Sequence, residues 1–272
     1  MNPLTTTESL IQDIEQSEID YMVDRMRSIQ LRDDNPEGVE IVRLGRATCF
    51  YSKTMPWPMF NTVKGLRNED LDLLEPILAF YRERERQPRI ELVPSQVDAN
   101  FMANLAQRGF YQSGFHTSLY IEPMQYQVNR LNSIVIVIRE LLSDEFDVYA
   151  SIHCLATGLG TQGIPYVSKN NRILYDRKGW KFYLATVDDV PAAVGVMYMQ
   201  DGIASLTFGA TLPEFRNRGL QQMLIQHRIE EAYRMQCRLV VSQCSFLSSS
   251  HRNMERAGMR IGYVRASWER GS

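Results

Sequence analysis

The sequence predicts an α/β (α+β) fold in two halves, and three observations lead to this prediction. Segments with helical periodicity alternate with short β-type runs along the 272 residues. Extended segments at residues 180–187, 192–199 and 203–210, joined by tight turns, predict an antiparallel meander. The segment at residues 122–133 is interpreted as a linker between the halves. With 44% hydrophobic residues, the chain can form two cores of roughly 100–150 residues each.

The first half begins with a predicted helix over residues 7–30, whose apolar residues are spaced to share one face. A polar break at residues 32–38 ends it. Strands are predicted at residues 39–44, 47–51, 60–63, 90–93 and 115–121, and further helices at residues 71–86 and 98–108.

The second half starts with β-branched residues 134–138, which predict a strand buried on both faces. A helix over residues 147–156 ends at the glycine-rich loop TGLGTQGIP. After the meander comes a helix whose apolar stripe is expected to contain Ile225, Ile229, Ala232 and Tyr233. A buried strand at residues 239–242, a helix at 250–257 and a strand at 263–268 complete the prediction.

Composition excludes several classes of function. The net charge of −2, from 30 basic and 32 acidic residues, provides no broad basic field for nucleic acid. The longest apolar run is too short to span a bilayer, and the N-terminus lacks secretory features, so a soluble cytoplasmic protein is expected. Neither a metal site nor a disulfide framework is indicated by the spacing of Cys49, Cys154, Cys237 and Cys244.

One short stretch, LPEFRNRGLQ at residues 212–221, carries two arginines and a glycine in front of a predicted helix. A helix start exposes unpaired backbone N–H groups and partial positive charge, so it can bind an anion, and the arginines would strengthen this binding. Taken alone, the stretch is better explained as an ordinary surface turn with solvated arginines, so the anion-binding interpretation depends on the rest of the chain.

Two motifs in this half resemble those of the GNAT superfamily of N-acetyltransferases. The first is similar to the superfamily's acetyl-CoA loop R-G-x-G-x-G/A, with Asn217 where glycine is usual and Gln221 where glycine or alanine is usual. The residues that match it are Thr211, Pro213, Arg216, Arg218, Gly219 and Leu220. The second, SSSHRNMERAGM, is similar to a helix motif of the superfamily and matches it at Ser250, Glu255, Arg256, Gly258 and Met259.

The resemblance implies that acetyl-CoA is the co-substrate and that its pyrophosphate lies on the N–H groups of residues 218–221. The end of the third meander strand would bond the pantetheine arm, as would Ser250 and Asn253; a helix N-cap is the alternative role for Ser250. The cofactor-binding residues implied are Ala210, Thr211, Arg216, Asn217, Arg218, Gly219, Leu220, Gln221, Ser250 and Asn253.

An internal repeat is also indicated. NLAQRGF from Asn104 and NMERAGM from Asn253 share an asparagine and a glycine at a constant offset of 149 residues. The chain therefore resembles a tandem GNAT protein, with a degenerate GNAT-like domain at residues 1–125 and the N-acetyltransferase domain at residues 134–272. Each domain would hold a mixed, mostly antiparallel sheet flanked by helices. Glu69 and Asp70 stand in the first copy where an anion would lie, and would repel it.

The catalytic residues stay unassigned. Direct acetyl transfer to a primary amine needs a base and an acid, but Met254 stands at the family's tyrosine position. Candidates are Tyr198, Tyr263 and His251, although Tyr263 is also explained as a packed tyrosine and His251 as a solvated helix residue. The predicted partners are acetyl-CoA and an amine acceptor, which is a small molecule, peptide or protein. The alternative is a noncatalytic acyl-CoA-binding or scaffolding protein.

Overall fold

The structure is a computed structural model that describes residues 5–55, 57–124 and 136–271. Most of the predicted linker at residues 122–133, and the first two residues of the strand predicted at 134–138, lie outside the described residues. Helices and strands alternate through both halves.

In chain order up to residue 121, the elements are α1 (Glu8–Gln30), β1 (Glu40–Leu44), β2 (Ala47–Tyr51), β3 (Thr62–Lys64), α2 (Leu74–Arg82), β4 (Arg89–Leu92), α3 (Ala99–Gln107) and β5 (Phe110–Ile121). From residue 136 they are β6 (Ile136–Glu140), α4 (Phe146–Thr157), α5 (Ile164–Arg172), β7 (Trp180–Val187), β8 (Val190–Gln200), β9 (Ile203–Thr211), α6 (Leu220–Arg234), β10 (Leu239–Cys244), α7 (Ser249–Arg256) and β11 (Arg260–Arg270). None of the helices in these described ranges is long and apolar enough to cross a membrane.

The strands form one eleven-stranded mixed sheet in the order β1-β2-β3-β4-β11-β5-β10-β9-β8-β7-β6. The two separate sheets that were expected are not seen among the described residues. The last strand, β11, pairs antiparallel with β4, with Ala266 opposite Leu92. Hydrophobic patterns predict that a segment is a strand but not which strand it pairs with, so the sequence did not reveal this arrangement.

The chain forms two compact units. The first comprises Met1–Ser118, Cys244–Phe246 and Ile261–Ser272, and the second comprises Leu119–Gln243 and Leu247–Arg260. Because β11 pairs with β4, the C-terminal residues belong to the first unit. The compact units and the predicted sequence domains at 1–125 and 134–272 are therefore different divisions of the chain.

The first unit packs α2 and α3 over its strands, with Leu74, Ile77, Phe101 and Leu105 buried against residues such as Ile90. The starts of two predicted helices are confirmed by their caps. Thr7 accepts a hydrogen bond from the Leu10 N–H at 3.2 Å, and Asp98 accepts one from the Phe101 N–H at 2.9 Å. The helix expected at residues 71–86 is instead a 3₁₀ turn, Asn68–Leu73, followed by the shorter α2.

A cluster of buried charges lies in the same unit. Lys64 pairs with Glu91 and, at 3.3 Å, with Glu18, while Arg265 also pairs with both carboxylates. Burial raises the pKa of Glu91, but Arg265 and Lys64 outweigh burial and hold that pKa at about 2. His116 Nδ1 lies 3.2 Å from a guanidinium nitrogen of Arg265, and burial together with this charge lowers the pKa of His116 to about 4.

The meander of the second unit is confirmed. β7, β8 and β9 pair antiparallel. Their turns have positive φ at both central residues, namely 48° and 63° at Asp188 and Asp189, and 50° and 75° at Asp201 and Gly202. Positive φ at both positions defines the type I′ turn, which matches the twist of a two-residue hairpin.

Two burial predictions in the second unit are wrong. The strand expected to be buried on both faces is β6, which lies last in the sheet order, and Val137 is 43% exposed. Tyr233 was placed in the apolar stripe of α6 but is 50% exposed. Ile225 and Ile229 of that stripe are buried as expected.

The helix α5 was missed by sequence reasoning, because the glycine-rich segment before it was interpreted only as a loop. Gly158, with φ of 76°, ends α4, and α5 begins six residues later with a proline in its first turn. Proline at a helix start was the available signal.

Candidate functional site

The second unit contains a cavity of about 670 Å³ at the start of α6. It is lined by Ala156, Thr157, Gly209, Ala210, Thr211, Phe215, Arg216, Asn217, Gly219, Leu220, Gln221, Gln222, Ser249, Ser250, Arg252, Asn253 and Arg256. Nine of the ten sequence-predicted site residues are in this lining. Arg218 is not, and its guanidinium lies over the Phe215 ring, 5.3 Å from the centroid.

The loop before α6 has a backbone that few residues adopt. Gly219 has φ of 81°, and a Cβ added there would meet no heavy atom within 4 Å. Asn217 has φ of 63°, also in the left-handed region. Asparagine tolerates this region better than most residues with a side chain, so Asn217 can adopt a backbone that otherwise favours glycine.

The first turn of α6 leaves N–H groups available. The first backbone bond within the helix runs from the Met223 N–H to the Gly219 carbonyl at 3.0 Å, and no side chain caps this end. The N–H groups at Leu220, Gln221 and Gln222 therefore lack partners inside the helix. All three residues line the cavity.

One edge of β9 borders the same cavity. The parallel register of β9 with β10 ends where Leu206 lies opposite Ser242, but β9 continues to Thr211. Its other edge stays paired with β8 as far as Ala193 and Thr211. Backbone groups beyond Leu206 on the β10 side are thus outside the β9–β10 ladder, where an extended ligand can pair with them.

The lining is cationic. It includes Arg216, Arg252 and Arg256, and none of its described residues is an aspartate or a glutamate. The guanidinium groups bond neutral acceptors, namely the Ala156 carbonyl at 3.1 Å, the Leu247 carbonyl at 3.0 Å and Asn253 Oδ1 at 2.9 Å. Three positive charges therefore face one cavity whose lining holds no carboxylate to neutralise them, an environment that favours a ligand with several negative charges.

A chain of side-chain hydrogen bonds joins α6 to α7 along the cavity. Arg256 donates to Asn253 Oδ1, and Asn253 Nδ2 donates to Gln221 Oε1 at 2.7 Å. Gln221 Nε2 in turn donates to Ser250 Oγ at 2.7 Å. Ser250 is not the helix N-cap, because Ser248 accepts the hydrogen bond from the His251 N–H at 3.1 Å.

The candidate proton-transfer residues are not in this lining. Tyr198 is buried and donates to Gln200 Oε1 at 2.5 Å, and Tyr263 belongs to the first unit, where burial raises its pKa well above the usual value. His251 was expected to be solvated but is only 1% exposed. Met254, which the motif resemblance aligned with a tyrosine, is also buried.

Sequence reasoning missed Arg228, which contacts β9 beside Gly209, a residue of the cavity lining. This buried residue donates to the carbonyls of Val196 and Phe208, both at 2.9 Å. Gly195 and Gly209 face each other across β8 and β9, and a Cβ at Gly195 would lie 3.1 Å from the Arg228 guanidinium. Burial lowers the pKa of Arg228 to about 10, and the two glycines leave space for it.

Arg252 and Arg256 were also left out of the predicted site. The signal was available in the sequence, because residues 249, 252, 253 and 256 of a helix follow the i, i+3, i+4, i+7 spacing that places side chains on one face.

No protein-family model matches the chain, and no match was found among curated proteins. Solved structures do match. A GCN5-related N-acetyltransferase from Kribbella flavida has a TM-score of 0.65 at 16% identity, covering 86% of this chain and 90% of that one. The chain has a GNAT fold. A GCN5-related N-acetyltransferase from Sphaerobacter thermophilus has a TM-score of 0.58 at 15% identity, covering 77% and 72%.

A tandem GNAT protein from the clavulanic acid biosynthesis pathway also shares the GNAT fold. Its TM-score is 0.59 at 14% identity, covering 85% of this chain and 82% of that chain. At such low identities the likeness concerns the fold, and function has to be argued from the site itself.

Proposed function

We propose that the chain is an acetyl-CoA-dependent N-acetyltransferase that binds its co-substrate in the cavity of the second unit. The observation that carries this proposal is the combination in one cavity of three arginines, a helix start and a partly unpaired strand edge, with no carboxylate in the described lining. Coenzyme A has matching chemistry, since it joins phosphates to an arm containing two amides.

The proposed placement follows from these groups. The pyrophosphate lies on the N–H groups of residues 218–221, of which Gly219, Leu220 and Gln221 line the cavity, and Gly219 permits close approach because it has no Cβ. The arm runs beside Ala210 and Thr211, toward Ser250 and Asn253. Arg216, Arg252 and Arg256 supply positive charge for the phosphates.

The proposed reaction is direct transfer to a primary amine of a small molecule, peptide or protein. The amine nitrogen attacks the thioester carbonyl and loses a proton, and the thiolate of coenzyme A leaves and takes up a proton. The described lining contains no tyrosine, histidine or carboxylate. In this proposal an acceptor amine with a low pKa attacks in its neutral form, and water carries the proton that the nitrogen then loses to the leaving thiolate.

We also propose a tandem organisation, with residues 1–125 as a degenerate copy of residues 134–272. The 149-residue offset extends beyond the shared sequence, because residues 99–107 of α3 shift to 248–256, close to Ser249–Arg256 of α7. Gly109 and Gly258, which follow these helices, have φ of 82° and 84°. The offset therefore relates backbone conformation as well as residue type.

A second candidate function is noncatalytic binding of acyl-CoA. It is favoured by the absence of acid–base side chains from the described lining and by the burial of Met254 and His251. Both candidates require coenzyme A to bind, so only turnover separates them.

The test has two stages. Isothermal titration with coenzyme A establishes binding, and release of free thiol from acetyl-CoA is then measured with a panel of primary amines. Acetyl transfer to any amine supports the enzyme. Binding without turnover across the panel favours the noncatalytic protein, and no binding to the folded native chain contradicts both.

A further inference from the structure

The hydrogen-bond chain from Arg256 to Ser250 has a direction that its chemistry dictates. Arginine can only donate, so the Asn253 atom that it meets at 2.9 Å is the oxygen, Oδ1. Asn253 must then turn its nitrogen toward Gln221, whose oxygen accepts. Gln221 is left with its nitrogen facing Ser250 Oγ, to which it donates at 2.7 Å.

This direction determines what Ser250 can offer. Its oxygen accepts from Gln221, which leaves the hydroxyl hydrogen able to turn toward the cavity that Ser250 lines. Asn253 also keeps a second N–H on Nδ2, because only one is donated to Gln221. The surface formed by Gln221, Ser250, Asn253 and Arg256, here called the donor wall, thus presents hydrogen-bond donors to the cavity.

The edge of β9, unlike the donor wall, offers hydrogen-bond acceptors as well as donors. Residues of β9 beyond Leu206 carry both N–H and C=O groups outside the β9–β10 ladder, and Gly209, Ala210 and Thr211 line the cavity. An amide group satisfies both surfaces, since it donates its N–H to a strand carbonyl while its own carbonyl accepts from the donor wall.

We propose that the donor wall recognises an amide carbonyl of the ligand arm, with Ser250 as the donor and Gln221 as the positioning residue that orients it. The inference rests on the proposed function and deepens it, because it assigns the arm and the nucleotide of coenzyme A to separate parts of the cavity. Gln221 replaces the glycine or alanine that is usual at this position, so the arrangement belongs to this chain.

The experiment compares two ligands by isothermal titration. Coenzyme A carries the amide arm, whereas 3′-phosphoadenosine 5′-diphosphate carries only the nucleotide and its phosphates. The variants are Gln221→Met, Ser250→Ala and the double variant. The control is Gln226→Met, which makes the same change further along α6 at a residue outside the cavity lining.

Each single variant should raise the Kd of coenzyme A about tenfold, which corresponds to about 1.4 kcal/mol and is typical of one hydrogen bond. The double variant should weaken binding by no more than about twentyfold, because Gln221 acts through Ser250. The Kd of the nucleotide should stay within about twofold, and the control should change neither ligand.

Several results would overturn the inference. If both single variants bind coenzyme A with the native affinity, the donor wall does not recognise the ligand. A hundredfold loss in the double variant shows that the two residues act independently. Equal losses of affinity for coenzyme A and for the nucleotide place the effect on the proposed phosphate site at residues 218–221. If the native chain binds neither ligand, the proposed function itself fails, and that outcome is distinct from the other three.

Discussion

Replacement of Gly219 by valine tests whether the loop before α6 is a phosphate site or only a turn. Gly219 has φ of 81°, so a residue with a side chain costs about 1–2 kcal/mol there, and a β-branched one somewhat more. A new Cβ meets no heavy atom within 4 Å, so no steric clash is added to this cost. Gly219→Val should therefore remain folded with moderately reduced stability.

The affinity for coenzyme A should fall by more than the small loss of folding stability. The valine side chain would occupy the space that the pyrophosphate needs against the N–H groups of residues 218–221. Each hydrogen bond to a charged group contributes about 1.5–3 kcal/mol, so losing one or two raises the Kd of coenzyme A roughly a hundredfold. Isothermal titration at constant salt measures the change, and urea unfolding measures the stability.

Gly202→Val is the matched control for this change. Gly202 has φ of 75° and lies in the β8–β9 turn outside the cavity lining, where an added Cβ would have only ordinary contacts at 3.8 and 4.0 Å. It should lose similar stability but keep its affinity for coenzyme A. A folded Gly219→Val protein that binds coenzyme A within threefold of the native Kd would refute the phosphate-site argument.

Three further predictions concern stoichiometry, chemistry and pH. Titration should give one molecule of coenzyme A per chain, held by residues beyond 130; two equivalent sites would contradict a degenerate first copy. Met254→Ala should cost about 2–5 kcal/mol of stability because Met254 is buried, yet change single-turnover acetyl transfer by less than tenfold. A larger loss of rate would give Met254 a role in the reaction, and a faster Met254→Tyr enzyme would show that thiolate protonation limits the rate. Stability should fall as the pH drops from 6.5 to about 4, because the folded-state pKa of His116 is lowered to about 4 and the unfolded chain takes up the proton first. Urea unfolding should show a slope of up to about 1.4 kcal/mol per pH unit in this range, and His116→Gln should reduce it; an unchanged profile would argue against this assignment.

Local features of the fold were predictable from the sequence because their causes are local. Thr7 and Asp98 start helices through their own side chains, and the Asp201–Gly202 turn forms because these residues accept positive φ. The start of α6 is similar, since Gly219 and Asn217 both adopt the left-handed backbone that the motif requires. These interactions span a few residues, so pattern and spacing are enough to reveal them.

The tertiary structure decided what depends on neighbours distant in sequence. Residues 134–138 have the β-branched composition of a central strand, but their described part, residues 136–138, lies in β6, which is last in the sheet order. The last strand, β11, pairs with β4 across about 170 residues of chain. His251 is buried, although its helix was expected to be solvated. The buried Arg228 side chain fits against the sheet because Gly195 and Gly209, which face each other on β8 and β9, have no side chains there. The donor wall likewise needs α6 and α7 in contact before Gln221 can reach Ser250. The sequence by itself determined the local elements and the backbone of the loop proposed to bind an anion. Strand partners, burial and hydrogen bonds between helices arise only when the chain packs, because their energies belong to pairs of residues that no local pattern relates.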